Sequence, residues 1–368
     1  MKITFCIVAF TLLFSGCVYN QSPKVDLSSI TQANLKQLSW EELNDIKKDD
    51  IQSAFRVFLQ DCKSEKNNLV EICTLAFDTN DSTNFFQNNF TPYQLFDDKG
   101  SKKGIITGYY EPQLFGSKTK TEKYKYPIHK LPNDLVYFDS SLFTNTTPPQ
   151  KFVGKIKEQH FIPYDTREEI NIRDDLEAIC YVDSPIDLFF LHIQGSGRIT
   201  LDTNETIFVG YKENNGRDYF AIGKKLIEDG EIQKEDISMQ SIEAWLKNNP
   251  NKMEQIFNFN ERYIFFEETN QSASGSLGIE LVAGRNIAID TSIIPLGYPV
   301  LLKTTNPITK EKIKKIVIAA DTGAAIKGKI RADYFCGYGE DAKELSGKMK
   351  QEGELILFIP NKKSMNEN

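Results

Sequence analysis

The sequence predicts a mainly β protein that begins with helices and contains two domains. Apolar residues recur at helical spacing near the N-terminus, whereas most of the remaining chain consists of short apolar runs separated by glycine, proline and other turn residues. A length of 368 residues, 40% of them hydrophobic, supplies enough core for two domains. The composition changes near Pro112 and near Asn260, which are therefore the expected domain boundaries.

The first elements are expected to be helices. Residues 39–42 have the S-x-x-E form of a capping box, which predicts a helix start. Ala54, Phe55 and Phe58 recur at helical spacing, and a further helix is expected around 69–77.

Strands are expected to dominate from residue 104 onward. Residues 104–110 alternate in polarity, and 188–194 form a compact apolar run that ends in a glycine-rich turn. Helical patterns return at 220–228 and 242–248, and 263–360 again indicates short strands.

The N-terminus predicts export. Lys2 provides a basic start, residues 3–14 form an apolar core too short to span a membrane, and small residues precede Cys17. We expect a signal peptide over 1–16, a lipid on Cys17 and a flexible tether over 17–35.

The residue after the cysteine predicts where the lipoprotein would reside. Val18 rather than aspartate follows Cys17, which favours an outer-membrane lipoprotein that faces the periplasm. Phe14 stands where such signals usually have leucine, and an ordinary secretory signal cleaved elsewhere is the alternative.

The remaining cysteines are consistent with an oxidising compartment. Cys62 and Cys73 flank a polar loop between two helical patterns, and we expect them to form a disulfide. Cys180 and Cys336 have apolar or aromatic neighbours and are expected to be buried. The three histidines are far apart and there is no CxxC motif, so no metal site is expected.

The net charge of −7 argues against a nucleic-acid partner. It also argues against binding an acidic polymer by simple charge attraction. Aromatic residues are plentiful, with 25 Phe and 15 Tyr, and offer flat apolar surfaces for contacts that do not depend on charge.

A stretch near the C-terminus has the pattern of an active site. An apolar run over 316–320 leads into Asp321, and Gly323 and Gly328 permit tight turns before Asp333. This arrangement could present Asp321, Lys327 and Asp333 to one space. The alternative is a strand followed by a turn that Asp321 caps, with Asp333 in solvent.

This stretch resembles the signature of the lytic transglycosylase family typified by membrane-bound lytic murein transglycosylase A, which ends in a 3D domain. The matching segments are 321–323 (DTG), 325–328 (AIKG), Asp333, 334–335 (YF) and 337–339 (GYG). Further blocks resemble family motifs in the family's order, namely 108–112 (GYYEP), 187–198 (DLFFLHIQGSGR), 209–211 (VGY), 215–216 (NG) with Tyr219, and 293–297 (IIPLG). The resemblance extends from about Trp40 to Pro360.

The resemblance implies a specific architecture. A double-psi β-barrel domain would be formed by 36–115 and 258–362, and a second, smaller β-rich domain over 116–257 would be inserted into it. The substrate groove would lie between the two domains.

The resemblance also implies an activity that needs neither a metal nor a cofactor, and a set of site residues. A lytic transglycosylase cleaves the β-1,4 bond between N-acetylmuramic acid and N-acetylglucosamine in peptidoglycan and forms a 1,6-anhydromuramic end. Asp333 matches the catalytic acid and base, and Asp321 matches its companion, although the two roles could be exchanged. The expected substrate-binding residues are Tyr109, Tyr110, Glu111, Gln194, Ser196, Arg198 and Lys327.

Structural roles are the alternatives for these residues, such as tyrosines at a barrel seam and a Gly-Ser-Gly turn. Arg285 and Asp290 are expected to form a turn and an ion pair that closes the barrel. The expected protein is a monomer that binds peptidoglycan strands and attaches to the membrane through its lipid.

Two other functions remain open from the sequence. One is a glycan hydrolase with two catalytic carboxylates, the second being Glu111, Glu267 or Glu268. The other is a non-catalytic lipoprotein that binds murein.

Overall fold

The computed structural model describes residues 34–43, 46, 48–143 and 150–361. The expected signal peptide, the expected lipid on Cys17 and most of the expected tether lie outside these residues. None of the described helices is long and apolar enough to span a membrane.

Helices form the N-terminal part of the described chain, as predicted. They are α1 (Lys48–Asp61), α2 (Val70–Asp78) and α3 (Phe85–Asn89). The predicted capping box opens a short 3₁₀ helix, in which the Ser39 amide donates to the Glu42 carboxylate over 2.7 Å. The expected disulfide joins Cys62 to Cys73, with their Cα atoms 5.4 Å apart.

The first sheet contains a closed barrel. Its described strands are β1 (Leu35–Gln37), β2 (Phe90–Leu95), β3 (Gly104–Glu111), β13 (Asn286–Ile289), β14 (Pro299–Thr305), β15 (Lys312–Thr322), β16 (Arg331–Tyr338) and β17 (Lys350–Pro360). Six of them run in the order β17-β14-β15-β13-β16-β3, and β3 pairs back onto β17 to close the ring. Two of the pairings, β13 with β15 and β3 with β16, are parallel, which is consistent with a double-psi barrel.

Aromatic residues attach the N-terminal helices to the barrel. Phe55 and Phe58 of α1 contact Phe85 and Phe86, and Phe86 in turn contacts Phe358 of β17. These rings are buried in the same core as the barrel interior. Removing their large apolar area from water stabilises the fold.

The middle of the chain forms a second β-rich unit. Its main sheet has the order β12-β11-β10-β4-β9-β5, from strands β4 (Gln113–Ser117), β5 (Tyr126–His129), β9 (Ala178–Val182), β10 (Ser196–Leu201), β11 (Thr206–Asn214) and β12 (Ile264–Thr269). A smaller sheet contains β6 (Val136–Asp139), β7 (Lys151–Lys157) and β8 (His160–Pro163).

The remaining described helices belong to both units. The middle of the chain contains α4 (Arg167–Asn171), α5 (Pro185–Gln194), α6 (Ile222–Glu228), α7 (Met239–Asn248) and α8 (Pro250–Asn258), and α9 (Glu340–Lys348) lies between β16 and β17.

Two strands extend the second sheet past the expected limits of 116 and 257. Strand β4 begins at Gln113, and β12 lies wholly within the range expected for the barrel domain. Strand β12 pairs with β11 because its buried Ile264 and Phe266 complete the apolar core of that sheet.

The apolar run at 188–194 is helical. Ser184 accepts a hydrogen bond from the Asp187 amide, Pro185 occupies the first turn, and Gly195 ends the helix with φ of 79°. A left-handed backbone of this kind favours glycine. This cap places Gln194 and Ser196 at the junction of α5 and β10.

Candidate active site

A cavity of about 640 Å³ lies between the barrel and the second sheet. The barrel contributes Tyr109, Asp321 and Asp333 to its lining, and the second unit contributes Gln194 and Tyr219. Its size and two-sided construction are typical of a ligand-binding cleft.

The strand register places the two aspartates on either side of one alanine in the barrel wall. Ala288 of β13 is paired with Asp321 on one side and with Asp333 on the other, and Asp333 is paired with Thr107 of β3. Two strand spacings separate the aspartate Cα atoms by roughly 10 Å. The small Ala288 side chain between them leaves space for a substrate.

A β-bulge in β15 directs Asp321 toward the cavity. Ile287 pairs with Ala319, but the next residue, Ala288, pairs with Asp321 rather than with Ala320. Without this extra residue Asp321 would be opposite Ile289, which belongs to the barrel core. The bulge therefore moves the carboxylate from the core face to the cavity face.

The pKa of the Asp333 carboxyl is raised toward neutral pH. Burial among protein atoms raises its pKa to about 6, and the nearby Asp321 contributes in the same direction. The Thr107 hydroxyl donates to Asp333 Oδ1 over 2.7 Å, and this bond and the charge of Arg331 favour the ionised form. The side chain is partly exposed, and it lines the cavity.

Asp321 has more hydrogen-bond donors than Asp333. Its Oδ1 accepts from the Ser276 amide at 2.8 Å, the Ser276 hydroxyl at 2.9 Å and the Thr322 amide at 2.8 Å. Burial raises the pKa of Asp321 above its ordinary value, and these donors limit the rise. The donors stabilise a carboxylate, so Asp321 is better suited than Asp333 to remain charged.

The loop that carries Ser276 is closely packed. The Leu277 amide donates to the carbonyl of Ala320 over 2.9 Å. A Cβ atom on Gly275 would lie 2.5 Å from that carbonyl oxygen, so the loop requires glycine there.

Three of the predicted substrate-binding residues line the cavity. They are Tyr109, Gln194 and Ser196. The Tyr109 ring contacts Phe335 at a centroid distance of 5.1 Å, and its buried hydroxyl lies close to Asp321, where it helps to lower the pKa of that carboxyl. Gln194 Oε1 accepts from the Tyr110 amide over 3.2 Å, which connects α5 to the barrel.

Tyr110, Glu111 and Arg198 do not line the cavity. Tyr110 is buried, and Glu111 is only 1% exposed. Arg198 donates to Glu111 through Nε at 2.9 Å and Nη2 at 2.5 Å. The Ser272 hydroxyl and the Ala273 amide also donate to Glu111. These contacts join the two sheets where β3 leads into β4.

Lys327 does not pair with Asp321. Its ammonium is 3.8 Å from Asp290, and the side chain is 70% exposed. The expected ion pair between Arg285 and Asp290 is wrong, because Arg285 pairs with Asp50 of α1 at 2.7 Å. The expected turn is present at Asp290, which accepts from the Ser292 hydroxyl and from the Gly328 amide.

The sequence reasoning did not identify Thr107, Ser276, Arg331 or Lys66, which contact an aspartate or line the cavity. The run of serine and glycine at 272–276 is a turn signal that could have drawn attention to Ser276. Thr107 and Lys66 approach the site only through pairing and loop contacts distant in sequence.

Two family descriptions match the chain. "MltA specific insert domain" matches residues 105–267, and "3D domain" matches residues 285–358.

Individual proteins give the same result. The membrane-bound lytic murein transglycosylase A homolog of Buchnera aphidicola is 34% identical over 66% of this chain and 62% of the relative. Membrane-bound lytic murein transglycosylase A of Escherichia coli K12 is 28% identical over 69% of this chain and 65% of the relative. The matched part thus spans less than two thirds of either relative.

A solved structure extends the likeness to the fold. The crystal structure of MltA from Neisseria gonorrhoeae is 32% identical, covers 89% of this chain and 93% of that chain, and superposes with a TM-score of 0.77. With its barrel, its inserted sheet and the aspartate pair between them, this chain belongs to the MltA family of membrane-bound lytic murein transglycosylases.

Proposed function

We propose that the protein is a peptidoglycan lytic transglycosylase. It cleaves the β-1,4 bond between N-acetylmuramic acid and N-acetylglucosamine and leaves a 1,6-anhydromuramic end. The observation that carries the proposal is an aspartate, Asp333, whose pKa is raised to about 6 on the wall of a cleft between two domains. The names of the relatives support it.

Asp333 acts first as an acid and then as a base. Its proton passes to the glycosidic oxygen as the bond between that oxygen and C1 of the N-acetylmuramic acid ring breaks. The C6 hydroxyl of the same muramic acid ring attacks C1, and the Asp333 carboxylate accepts the proton of that hydroxyl. The carboxyl is thus regenerated, and no water is consumed. Because nucleophile and electrophile belong to one ring, their effective concentration is high.

Asp321 serves as the charged companion. The donors from Ser276 and Thr322 stabilise its carboxylate, and this negative charge raises the pKa of Asp333. The same charge would favour the positive character that develops at the sugar ring in the transition state.

Each carboxylate considered for a two-carboxylate hydrolase is paired with a cation, although Glu267 also lines the cavity. Glu111 is buried against Arg198, Glu267 pairs with Lys212 at 2.7 Å, and Glu268 pairs with Lys118 at 2.8 Å. The aspartate pair argues against a purely non-catalytic role.

The location follows from the N-terminal sequence and from relatives named as membrane-bound. We infer a membrane-associated protein whose Cys17 carries the lipid that attaches it to the outer membrane, facing the periplasm. Its partner there is the glycan strand of peptidoglycan.

Product analysis tests the activity. Purified murein digested by the protein should yield anhydromuropeptides by mass spectrometry, and Asp333→Ala should yield none. Reducing-end muropeptides would indicate a hydrolase, and an absence of products from the unsubstituted protein would favour a binding role.

A further inference from the structure

The cavity contains cations that are not paired with acidic side chains. Lys66, Arg262 and Arg331 line it, and within the described ranges none of them forms an ion pair. The same lining holds three carboxylates, Glu267, Asp321 and Asp333, so the cations balance them in formal charge, whereas the whole chain has a net charge of −7. Unpaired cations that converge on a cleft are suited to an anionic group of the ligand.

The two arginines already donate hydrogen bonds to backbone carbonyls. Arg262 donates to the carbonyl of Arg217 over 3.1 Å, and Arg331 donates to the carbonyl of Ala332 over 2.6 Å. Lys66 has more freedom, because its exposed ammonium makes one hydrogen bond, to the Ser276 carbonyl at 3.2 Å. An ammonium carries three donors, so two remain for a ligand.

The loop that carries Lys66 is held in place by several contacts, although the Lys66 side chain is exposed. The disulfide between Cys62 and Cys73 closes the loop that carries it. The Ser64 hydroxyl donates to the carbonyl of Leu277, and Gln60 donates to the carbonyl of Glu280 over 2.9 Å. The loop is therefore fixed to the segment whose Ser276 holds Asp321, which places Lys66 at the rim beside the aspartate pair.

We propose that Lys66 determines specificity by binding a carboxylate of the muramic acid residue. The inference rests on the proposed function, because murein is the glycan that carries such groups. Two carboxylates are chemically equivalent for this purpose. One is on the peptide stem, and the other is the lactyl carboxylate that is freed when the stem is removed. A neutral chitin oligosaccharide has neither group.

Equilibrium binding to three probes tests the proposal. The full chain carrying Asp333→Asn, which prevents turnover, is titrated calorimetrically with chitohexaose, with amidase-treated glycan that has free lactyl groups, and with glycan that carries peptide stems. Adding Lys66→Met should weaken binding to one or both carboxylate-bearing probes about tenfold and change chitohexaose binding less than about twofold. Added salt should reduce this difference.

Matched variants separate charge from structure. Lys66→Arg keeps the charge and should bind nearly as the parent does. Lys63→Met removes an exposed lysine from the same loop that does not line the cavity, and it should have no effect. Loss on only one carboxylate-bearing probe identifies which carboxylate Lys66 binds.

Equal weakening on all three probes, weakening on chitohexaose alone, or no weakening would overturn the proposal. The proposed function fails separately, if the unsubstituted protein releases no anhydromuropeptides from murein.

Discussion

At the residue scale, one hydrogen bond tunes the proposed acid. The Thr107 hydroxyl donates to Asp333 and favours the ionised carboxylate, which opposes the effect of burial. Asp321, in contrast, accepts three hydrogen bonds at a single oxygen. The different environments of the two carboxyl groups support an assignment of different roles to them.

Replacing Thr107 by valine should shift the pH profile of activity. Activity requires protonated Asp333, so it should decline as the pH rises through the pKa of about 6. Removal of the Thr107 donor raises that pKa further, and the declining limb should move to higher pH by about one unit. The profile of kcat/KM on murein between pH 4 and 9 measures the shift.

Thr304→Val is the matched control, because the Thr304 hydroxyl lies in the same barrel but donates to the carbonyl of Glu352. Its profile should equal that of the unsubstituted protein. A limb that stays in place or moves to lower pH in Thr107→Val would show that Asp333 is not the titrating acid.

The sequence identified the aspartates but not their partners. The motif around 321–339 was sufficient to select Asp321 and Asp333. Thr107 lies 226 residues before Asp333, and only the parallel pairing of β3 with β16 brings them together. Lys327 was expected to share one space with the two aspartates and to bind substrate, but it lies near Asp290 and does not line the cavity.

At the element scale, the bulge in β15 and the loop after β12 together orient Asp321. The loop follows the bulge closely, since the Leu277 amide binds the carbonyl of the bulged residue Ala320. Only a glycine at position 275 allows this approach.

Gly275→Ala should therefore reduce both stability and activity. The new Cβ would be 2.5 Å from the Ala320 carbonyl oxygen and 2.9 Å from the Leu281 side chain. We expect a loss of about 1–3 kcal/mol in the free energy of unfolding. Activity should fall at least about tenfold, because displacement of Ser276 removes donors from Asp321. Denaturant unfolding and initial rates on murein measure the two effects.

Gly347→Ala in α9 provides the comparison. The nearest atoms to its Cβ would belong to the end of the Gln240 side chain, which would have to move and give up its hydrogen bond to the Lys343 carbonyl, while alanine favours the helix. Its loss of stability should be smaller than that of Gly275→Ala, and its activity should be unchanged. Similar losses in both variants would remove the special role assigned to the 275 loop.

Secondary structure was predicted correctly in segments whose apolar residues repeat with a single helical or strand spacing. The N-terminal helices and the strand over 104–111 follow directly from apolar spacing and caps. The run at 188–194 could not be assigned to a helix or a strand from its apolar character alone. The bulge could not be predicted, because it depends on the register with β13.

At the scale of the whole molecule, a buried ion pair joins the two sheets that enclose the cavity. Glu111 ends β3 of the barrel, and Arg198 lies in β10 of the second sheet. The pair excludes these residues from the cavity and fixes one side of the cleft.

Arg198→Met should destabilise the protein strongly, because it leaves the Glu111 carboxylate buried without a counter-ion. The expected loss is on the order of 3 kcal/mol, and a double-mutant cycle with Glu111→Gln measures the coupling between the two side chains. The control is Lys118→Met, which breaks the half-exposed pair with Glu268 and should cost less than about 1 kcal/mol. Equal losses in the two variants would contradict the structural role of the Glu111 pair.

The division into two units was predictable, but the way the chain builds them was not. Composition marked changes near Pro112 and Asn260. Only the family resemblance joined the outer segments into one barrel. The strand β12 was assigned to the barrel because nothing in its sequence shows that its partner is β11.

Digestion of murein in H₂¹⁸O tests the central claim most directly, namely that one carboxyl catalyses cleavage without water. Mass spectrometry should find anhydromuramic ends that contain no ¹⁸O, and Glu267→Gln should yield the same ends. Reducing ends labelled with ¹⁸O, lost in Glu267→Gln, would contradict the account and assign a hydrolase with two carboxylates.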